Sequence, residues 1–170
     1  RLRPMFDLLT ISYSRSGNTR HIAGQINSAL PTMLATAPKV EEIRDLIPHK
    51  GLFGFLRSGY ESIFRKPCPI GSSIHDPAGR DLLIIGTPNW AGNASSPVQA
   101  WINRHQGKIG PYAVFITQAS SGGEKVANQI EGLIGHPPLA TLIISEPDIK
   151  SGHDRMMVND FICRLPDKPR

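Results

Sequence analysis

The stretch from Ser14 to Thr19 constrains the fold of this chain more than any other, because it forms a turn between a buried strand and a helix. The apolar run Phe6 to Tyr13 precedes it, and an amphipathic helical pattern follows it. A strand that turns directly into a helix leaves unpaired backbone N–H groups at the helix N-terminus, where the helix dipole also favours an anion. The turn therefore predicts a phosphate-binding site, which we call the phosphate loop.

The side chains of the phosphate loop suit a terminal phosphomonoester. Gly17 permits the tight turn, and Arg15 adds a positive charge. The hydroxyls of Ser14, Ser16 and Thr19 can donate hydrogen bonds to phosphate oxygens. The Gly-Lys-Ser/Thr ending of a P-loop is missing, and so is the three-glycine dinucleotide fingerprint. The alternative is an ordinary helix start rich in Ser and Asn, since these residues are favoured as N-caps without any ligand.

Residues 11–19, with the sequence Ile-Ser-Tyr-Ser-Arg-Ser-Gly-Asn-Thr, resemble the FMN-phosphate loop of the flavodoxin-like family. The resemblance extends in outline over nearly the whole chain, but the phosphate loop is its sharply diagnostic part. It implies a doubly wound parallel sheet and noncovalently bound FMN. It also implies a set of phosphate-binding residues, namely Ser14, Arg15, Ser16, Gly17, Asn18 and Thr19.

Strand and helix patterns alternate along the rest of the chain. Apolar runs predict strands at 6–12, 81–86, 112–116 and 139–144, and a weaker pattern predicts an edge strand at 39–46. Helical spacing follows at 22–30, near 98–105, at 124–134 and at 157–165, where Met157, Val158, Phe161, Ile162 and Leu165 share one face. Such alternation predicts a parallel sheet with right-handed crossovers. With the phosphate loop, it predicts one flavodoxin-like α/β domain over residues 1–170, a three-layer α/β/α arrangement with five strands in the order 2-1-3-4-5.

Two further loops follow the third and fourth predicted strands, at the sheet edge where ligands of such folds bind. The 86–93 loop resembles the family's flavin-flanking loop, and Trp90 is predicted to stack on the isoalloxazine ring. The 117–123 loop is small and contains glycine, so that its backbone could approach the pyrimidine edge of the flavin. For Trp90, the alternative is a tryptophan that only packs its loop against the sheet. For the 117–123 loop, the alternative is a plain surface turn. The predicted cofactor-binding residues here are Pro88, Asn89, Trp90, Ala91, Gly92 and Asn93, together with Thr117, Ala119, Ser120, Ser121, Gly122 and Gly123.

The composition is that of a soluble globular protein, with 170 residues, 39% of them hydrophobic and 19% charged. No apolar run approaches the roughly 20 residues needed to cross a bilayer, and no signal-peptide pattern is present, so we expect a cytoplasmic protein without a membrane span. Cys68 and Cys163 stand far apart and are predicted to be two unrelated reduced thiols. The histidines show no metal-ligand spacing, and no metal is predicted.

The formal charge of +5 comes from basic residues spread along the chain, which disfavours nucleic-acid binding. It also differs from the acidic character that the resemblance implies for electron carriers. The segment 48–70 carries a net charge of +3 and interleaves basic residues with Phe53, Phe55, Tyr60 and Phe64. We interpret it as an amphipathic crossover helix with a solvated basic face. The alternative is a cap that attracts an anionic substrate such as a nicotinamide dinucleotide.

The 86–93 and 117–123 loops contain no Asp or Glu. Without acidic neighbours, an anionic reduced flavin is less disfavoured, and two-electron reduction becomes easier. This pattern and the resemblance predict an FMN-dependent NAD(P)H oxidoreductase that passes electrons to a quinone or a similar acceptor. The alternative is a flavodoxin-type electron-transfer or flavin-binding module without its own turnover. The sequence assigns no catalytic residue, and it leaves open the acceptor, the choice between NADH and NADPH, and the oligomeric state, with a homo-oligomer among the alternatives.

Overall fold

A computed structural model describes residues 6–30, 37–46 and 68–166 of the chain. Its centre is a parallel sheet of β1 (Leu8–Ser12), β2 (Lys39–Glu42), β3 (Leu82–Trp90), β5 (Tyr112–Gln118) and β6 (Thr141–Ser145). These strands lie in the order β2-β1-β3-β5-β6, and a two-residue strand, β4 (Asn93–Ala94), pairs antiparallel with β3. The five parallel strands therefore have the predicted order 2-1-3-4-5, which is confirmed.

Helices cover both faces of the sheet. The described helices are α1 (Asn18–Ala29), α2 (Ser96–Arg104), α3 (Gly123–Ile134), α4 (Glu146–Ser151) and α5 (Asp154–Cys163). Residues of β3 alternate between two apolar clusters: Leu82 packs with α1 and α5, whereas Leu83 packs with α2 and α3. A strand buried on both faces must be apolar at successive positions, which explains the continuous apolar runs. Trp101 is 1% exposed and belongs to the core.

The main differences from the sequence prediction lie at β3, at the closing helix and at the edge strand. β3 does not end at Gly86 but continues to Trp90, because it pairs with β5 as far as Thr117 and then with β4. The closing helix is preceded by α4, whose C-cap residue Gly152 has a left-handed conformation with φ of 78°, and α5 ends before Leu165. The edge strand predicted at 39–46 stops at residue 42.

The predicted helix or cap at 48–70 falls mostly on residues 47–67, which lie outside the described residues. Residues 68–70, which are described, form a β-bridge between Ile70 and Asp45. Both alternatives for this segment therefore stay predictions. No helix in the described part of the chain is long and apolar enough to cross a membrane.

Candidate functional site

The three predicted loops leave the sheet at the same side, at the carboxyl ends of its parallel strands. Ser12 at the end of β1 is in register with Gly86, Pro88 with Thr117, and Gln118 with Ser145. Because the strands are parallel, the segments that follow them emerge on the same side. The ring of Phe115, the register partner of Gly86, fills the space that a Cβ on Gly86 would need, so glycine is required at this position. The fold therefore brings the phosphate loop, the 86–93 loop and the 117–123 loop together.

The phosphate loop is held by the hydroxyl of Ser14, whose residue is buried. Its Oγ accepts hydrogen bonds from the backbone N–H of Gly17 at 3.2 Å and of Arg20 at 3.1 Å. A hydroxyl that accepts two bonds still has its own proton to donate, so Ser14 keeps one donor for a ligand. Gly17 has φ of 103°, and the space around a Cβ built on it is empty to 4 Å.

The start of α1 presents free backbone donors. The N-cap residue Gly17 has no side chain to cap the helix, Ser14 takes only the N–H groups of Gly17 and Arg20, and no acceptor within the described ranges takes the backbone N–H groups of Ser16, Asn18 or Thr19. The first turn contains no acidic residue, and Arg15 is solvent exposed beside it. Unpaired N–H groups at the positive end of a helix dipole are the donors that bind phosphate in other folds. The geometry therefore fits a phosphomonoester.

Thr19 connects the phosphate loop to the 117–123 loop. Its hydroxyl lies 2.8 Å from the hydroxyl of Thr117, and both residues are buried. One of the two hydroxyl protons makes this bond, which leaves the other for a ligand. The side chain therefore has a structural partner that the sequence did not indicate, in addition to its predicted role as a phosphate donor.

Asn89 connects the two remaining loops. Its side-chain Nδ2 donates to the carbonyl of Ser121 at 2.8 Å, and its Oδ1 accepts from the backbone N–H of Gly92 at 2.7 Å. A Cβ built on Gly122 would lie 2.9 Å from this Nδ2, and Gly122 itself has φ of 97°. Glycine at this position is therefore needed both for the backbone conformation and for the close approach of Asn89.

The 86–93 loop is a β-hairpin and not an irregular loop. Trp90 pairs with Asn93, and the two residues between them, Ala91 and Gly92, have φ of 51° and 83°. Positive φ at both central positions is the property of a type I′ turn, whose twist matches that of the flanking strands. The hairpin gives Trp90 a fixed backbone position at the sheet edge.

Trp90 is half-buried and contacts an aromatic residue that the sequence prediction did not include. The ring of Tyr13 lies edge-on to the indole, with centroids 5.7 Å apart and an interplanar angle of 87°. The Tyr13 hydroxyl makes a long hydrogen bond of 3.5 Å to Oδ2 of Asp45. Burial, and then the Asp45 carboxylate, raise the pKa of Tyr13 to about 12, and the same two causes raise the pKa of the Cys68 thiol to about 11.

The remaining predicted residues differ in exposure. Arg15, Ser16, Ala119, Ser120 and Ser121 are exposed at the sheet edge, as a surface ligand site needs. The 117–123 loop is closed by Gln118, whose Oε1 accepts from the N–H of Gly123 at 2.7 Å. Sequence reasoning missed Gln118, Tyr13 and Asp45. An aromatic residue directly before the phosphate loop was a usable signal for Tyr13, whereas Asp45 reaches the site only through the tertiary fold.

A metal site or a disulfide requires suitable side chains that lie close together. In the described ranges, no group of three or more His, Cys, Asp or Glu side chains is placed to hold a metal ion. Cys68 and Cys163 are both free cysteines. The described groups at the candidate site are backbone N–H groups, hydroxyls, amides, the guanidinium of Arg15, and the Trp90 ring with Tyr13 and Asp45 beside it.

Comparison with known proteins gives matches by structure. No protein-family model matches the chain, and no curated protein matches it by sequence. A flavoprotein from Lactobacillus acidophilus NCFM, solved in complex with FMN, is 19% identical, with a TM-score of 0.67 over 85% of this chain and 97% of that one. The two-electron reduced flavodoxin of Megasphaera elsdenii is 13% identical, with a TM-score of 0.54 over 92% of this chain and 98% of that one.

A longer protein contains the same fold as one of its parts. Rubredoxin oxygen:oxidoreductase from Desulfovibrio gigas is 12% identical, with a TM-score of 0.55 over 95% of this chain and 36% of that one. Likeness at such identities establishes the fold. The chain therefore has the flavodoxin-like fold that its sequence predicts.

Proposed function

We propose that the chain binds one FMN noncovalently across the three loops. The phosphate would lie in the phosphate loop, on the N–H groups of Ser16, Asn18 and Thr19, with the hydroxyl of Ser14 and the charge of Arg15 beside it. The isoalloxazine ring would lie against Trp90, with its pyrimidine edge toward the 117–123 loop. The FMN complex of the Lactobacillus acidophilus flavoprotein, which shares the fold, supports the choice of ligand.

One observation carries this proposal: unaccepted backbone donors at the start of α1 lie at the same sheet edge as an aromatic face. Donors without acceptors are uncommon in folded proteins unless water or a ligand meets them. The Thr19–Thr117 and Asn89–Ser121 bonds connect the loops around this site by contacts within the protein itself. A preformed site loses less conformational entropy on binding than a mobile one.

We further propose that the holoprotein is an NAD(P)H-dependent oxidoreductase that reduces a quinone or a similar acceptor. FMN would supply the two-electron chemistry, and the protein would supply position and electrostatics. Support comes from the 86–93 and 117–123 loops, which contain no Asp or Glu. An anionic reduced ring would meet no carboxylate from the loops that flank it.

A second function, electron transfer without turnover, is favoured by Asp45. Its carboxylate lies beside Tyr13, which in turn contacts Trp90. A negative charge near the ring would oppose the second electron, and a protein that uses one-electron steps would benefit from this opposition.

One experiment separates the two functions. The protein reconstituted with FMN is mixed without oxygen with NADH or NADPH, and the flavin absorbance is followed in time. The oxidoreductase proposal predicts fast bleaching with at least one nucleotide, followed by recovery when a quinone is added. A flavin that stays oxidised with both nucleotides but is reduced by dithionite would contradict the enzyme and favour the carrier.

A further inference from the structure

Lys125 lies over the hairpin turn of the 86–93 loop. It is in the first turn of α3 and is solvent exposed, yet a Cβ built on Gly92 would lie 3.2 Å from its Cδ and 3.5 Å from its Nζ. A long side chain that could extend into solvent instead follows the surface of this turn. The ammonium group is thereby placed on Gly92, two residues after Trp90.

The position of Lys125 is where the two proposed ring-binding loops meet. Asn89 bonds to Ser121 across the gap, and a Cβ built on Gly122 would lie 3.8 Å from the Cα of Gly92. The turn beneath the ammonium is therefore in contact with the end of the 117–123 loop. A positive charge on this turn therefore lies on the 86–93 loop, where that loop approaches the 117–123 loop.

The charge of Lys125 is not neutralised by a carboxylate in the described ranges. None of the ion pairs found there includes it. Glu124 is exposed in the same helical turn, and Asp45 lies beyond Tyr13, but the two loops themselves carry no acidic side chain. Within the described residues, the ammonium of Lys125 is a basic group that lies directly on the hairpin.

On the basis of the FMN site proposed above, we propose that Lys125 sets the reduction potential of the flavin. A nicotinamide dinucleotide would transfer a hydride, which is two electrons and one proton, and would itself become NAD(P)⁺. Fully reduced FMN then carries one negative charge more on its ring than oxidised FMN. Lys125 stabilises that charge and so favours the reduced state, as charges near the flavin ring do in general.

The test is a spectroscopic redox titration of the FMN-loaded protein and four variants. Lys125→Met removes the charge, and Lys125→Arg keeps it. Lys108→Met is the matched control. Lys108 lies between α2 and β5, at the amino ends of the parallel strands and so on the side of the sheet opposite to the candidate site. Its loss changes the net charge by the same amount. Lys125→Gln is a second neutral variant, in case the methionine alters folding, which is checked by unfolding in urea.

At a fixed ambient potential, we expect Lys125→Met to lower the ratio of reduced to oxidised flavin by about threefold to tenfold, since the ammonium is exposed and partly screened. Tenfold corresponds to about 30 mV for a two-electron couple. Lys125→Arg and Lys108→Met should match the unmodified protein. The difference should shrink as salt is raised from about 10 mM to about 1 M, because the Debye length falls from about 30 Å to about 3 Å. A purely structural effect would not depend on salt in this way.

Two results would overturn the assignment, and they differ from each other. Equal potentials for the unmodified protein, Lys125→Met and Lys125→Gln, with FMN bound in all three, would remove the role of Lys125 and leave the FMN site intact. Failure of the unmodified protein to retain FMN at all would reject the FMN site itself, and the role of Lys125 with it.

Discussion

The hydroxyl groups of Thr19 and Thr117 lie 2.8 Å apart although 98 residues separate them in the sequence. Both residues are buried, and each belongs to a different loop of the proposed site. Removing one hydroxyl leaves the other buried without a partner, whereas removing both can be nearly neutral. The pair should therefore behave as a unit in mutagenesis.

The first prediction concerns this pair. Thr19→Val and Thr117→Val should each destabilise the protein by about 1–3 kcal/mol, because each leaves one unsatisfied hydroxyl. The double variant should cost less than the sum of the two. Urea unfolding of the FMN-free protein gives the free energies for the double-mutant cycle. Additive values would mean that the two hydroxyls do not interact.

Trp90 supplies the second prediction. If its indole lies against the ring, it should quench flavin emission, and Trp90→Ala should weaken FMN binding by about 1–3 kcal/mol through lost stacking and burial. Trp90→Phe keeps an aromatic face and should retain most of the affinity. Titration of FMN fluorescence measures all three proteins. If the dissociation constant is unchanged in Trp90→Ala, Trp90 does not stack on the flavin and only packs its loop against the sheet.

The third prediction tests whether Asn89 preorganises the site. Asn89→Ala removes the bond to Ser121 and the acceptor for the N–H of Gly92, so the loops must be ordered when the ligand binds. We expect FMN affinity to fall by about tenfold, which is about 1.4 kcal/mol. Asn103→Ala, at an exposed position of α2, serves as the control and should leave affinity unchanged. Equal affinity in both variants would remove the positioning role of Asn89.

The fourth prediction concerns the pH dependence of stability. Burial and Asp45 raise the pKa of Tyr13 to about 12, so the folded state keeps the phenol neutral above the ordinary value of about 10. The unfolded state releases this proton first, and stability should therefore be lost as pH rises from about 10 to about 12. Tyr13→Phe removes this loss. Its free energy of unfolding, measured in urea, should improve relative to that of the unmodified protein over this range. A constant difference across it would contradict the raised pKa.

The sheet could be predicted from sequence because each parallel strand is buried on both faces and therefore reads as an apolar run. Residues 81–86 and 112–116 show this directly, and the strand order followed from the resemblance of the phosphate loop. The extension of β3 to Trp90 could not be predicted, since Pro88 and Asn89 have low strand propensity and are held by β5 and β4. Pairing with β5 and β4 therefore determines where β3 ends.

The sequence could predict that three loops form the candidate site, but not the hydrogen bonds and contacts that connect them. Serine and threonine hydroxyls were expected to face a ligand, and the structure adds partners within the protein for Ser14 and Thr19. The glycine at position 122 was expected for close approach of a ligand, whereas the structure places Asn89 there. Contacts between residues far apart in sequence, such as Tyr13 with Asp45, leave no local pattern to find.

The most direct test of the account compares FMN with riboflavin, which differ only in the phosphate. Fluorescence quenching of each flavin by the FMN-free protein gives two dissociation constants. The account predicts that FMN binds at least about tenfold more tightly, because charge-assisted hydrogen bonds at the start of α1 meet the phosphate. Ser16→Ala should reduce that preference without weakening riboflavin. A riboflavin dissociation constant equal to that of FMN would contradict a phosphate site between Ser14 and Thr19.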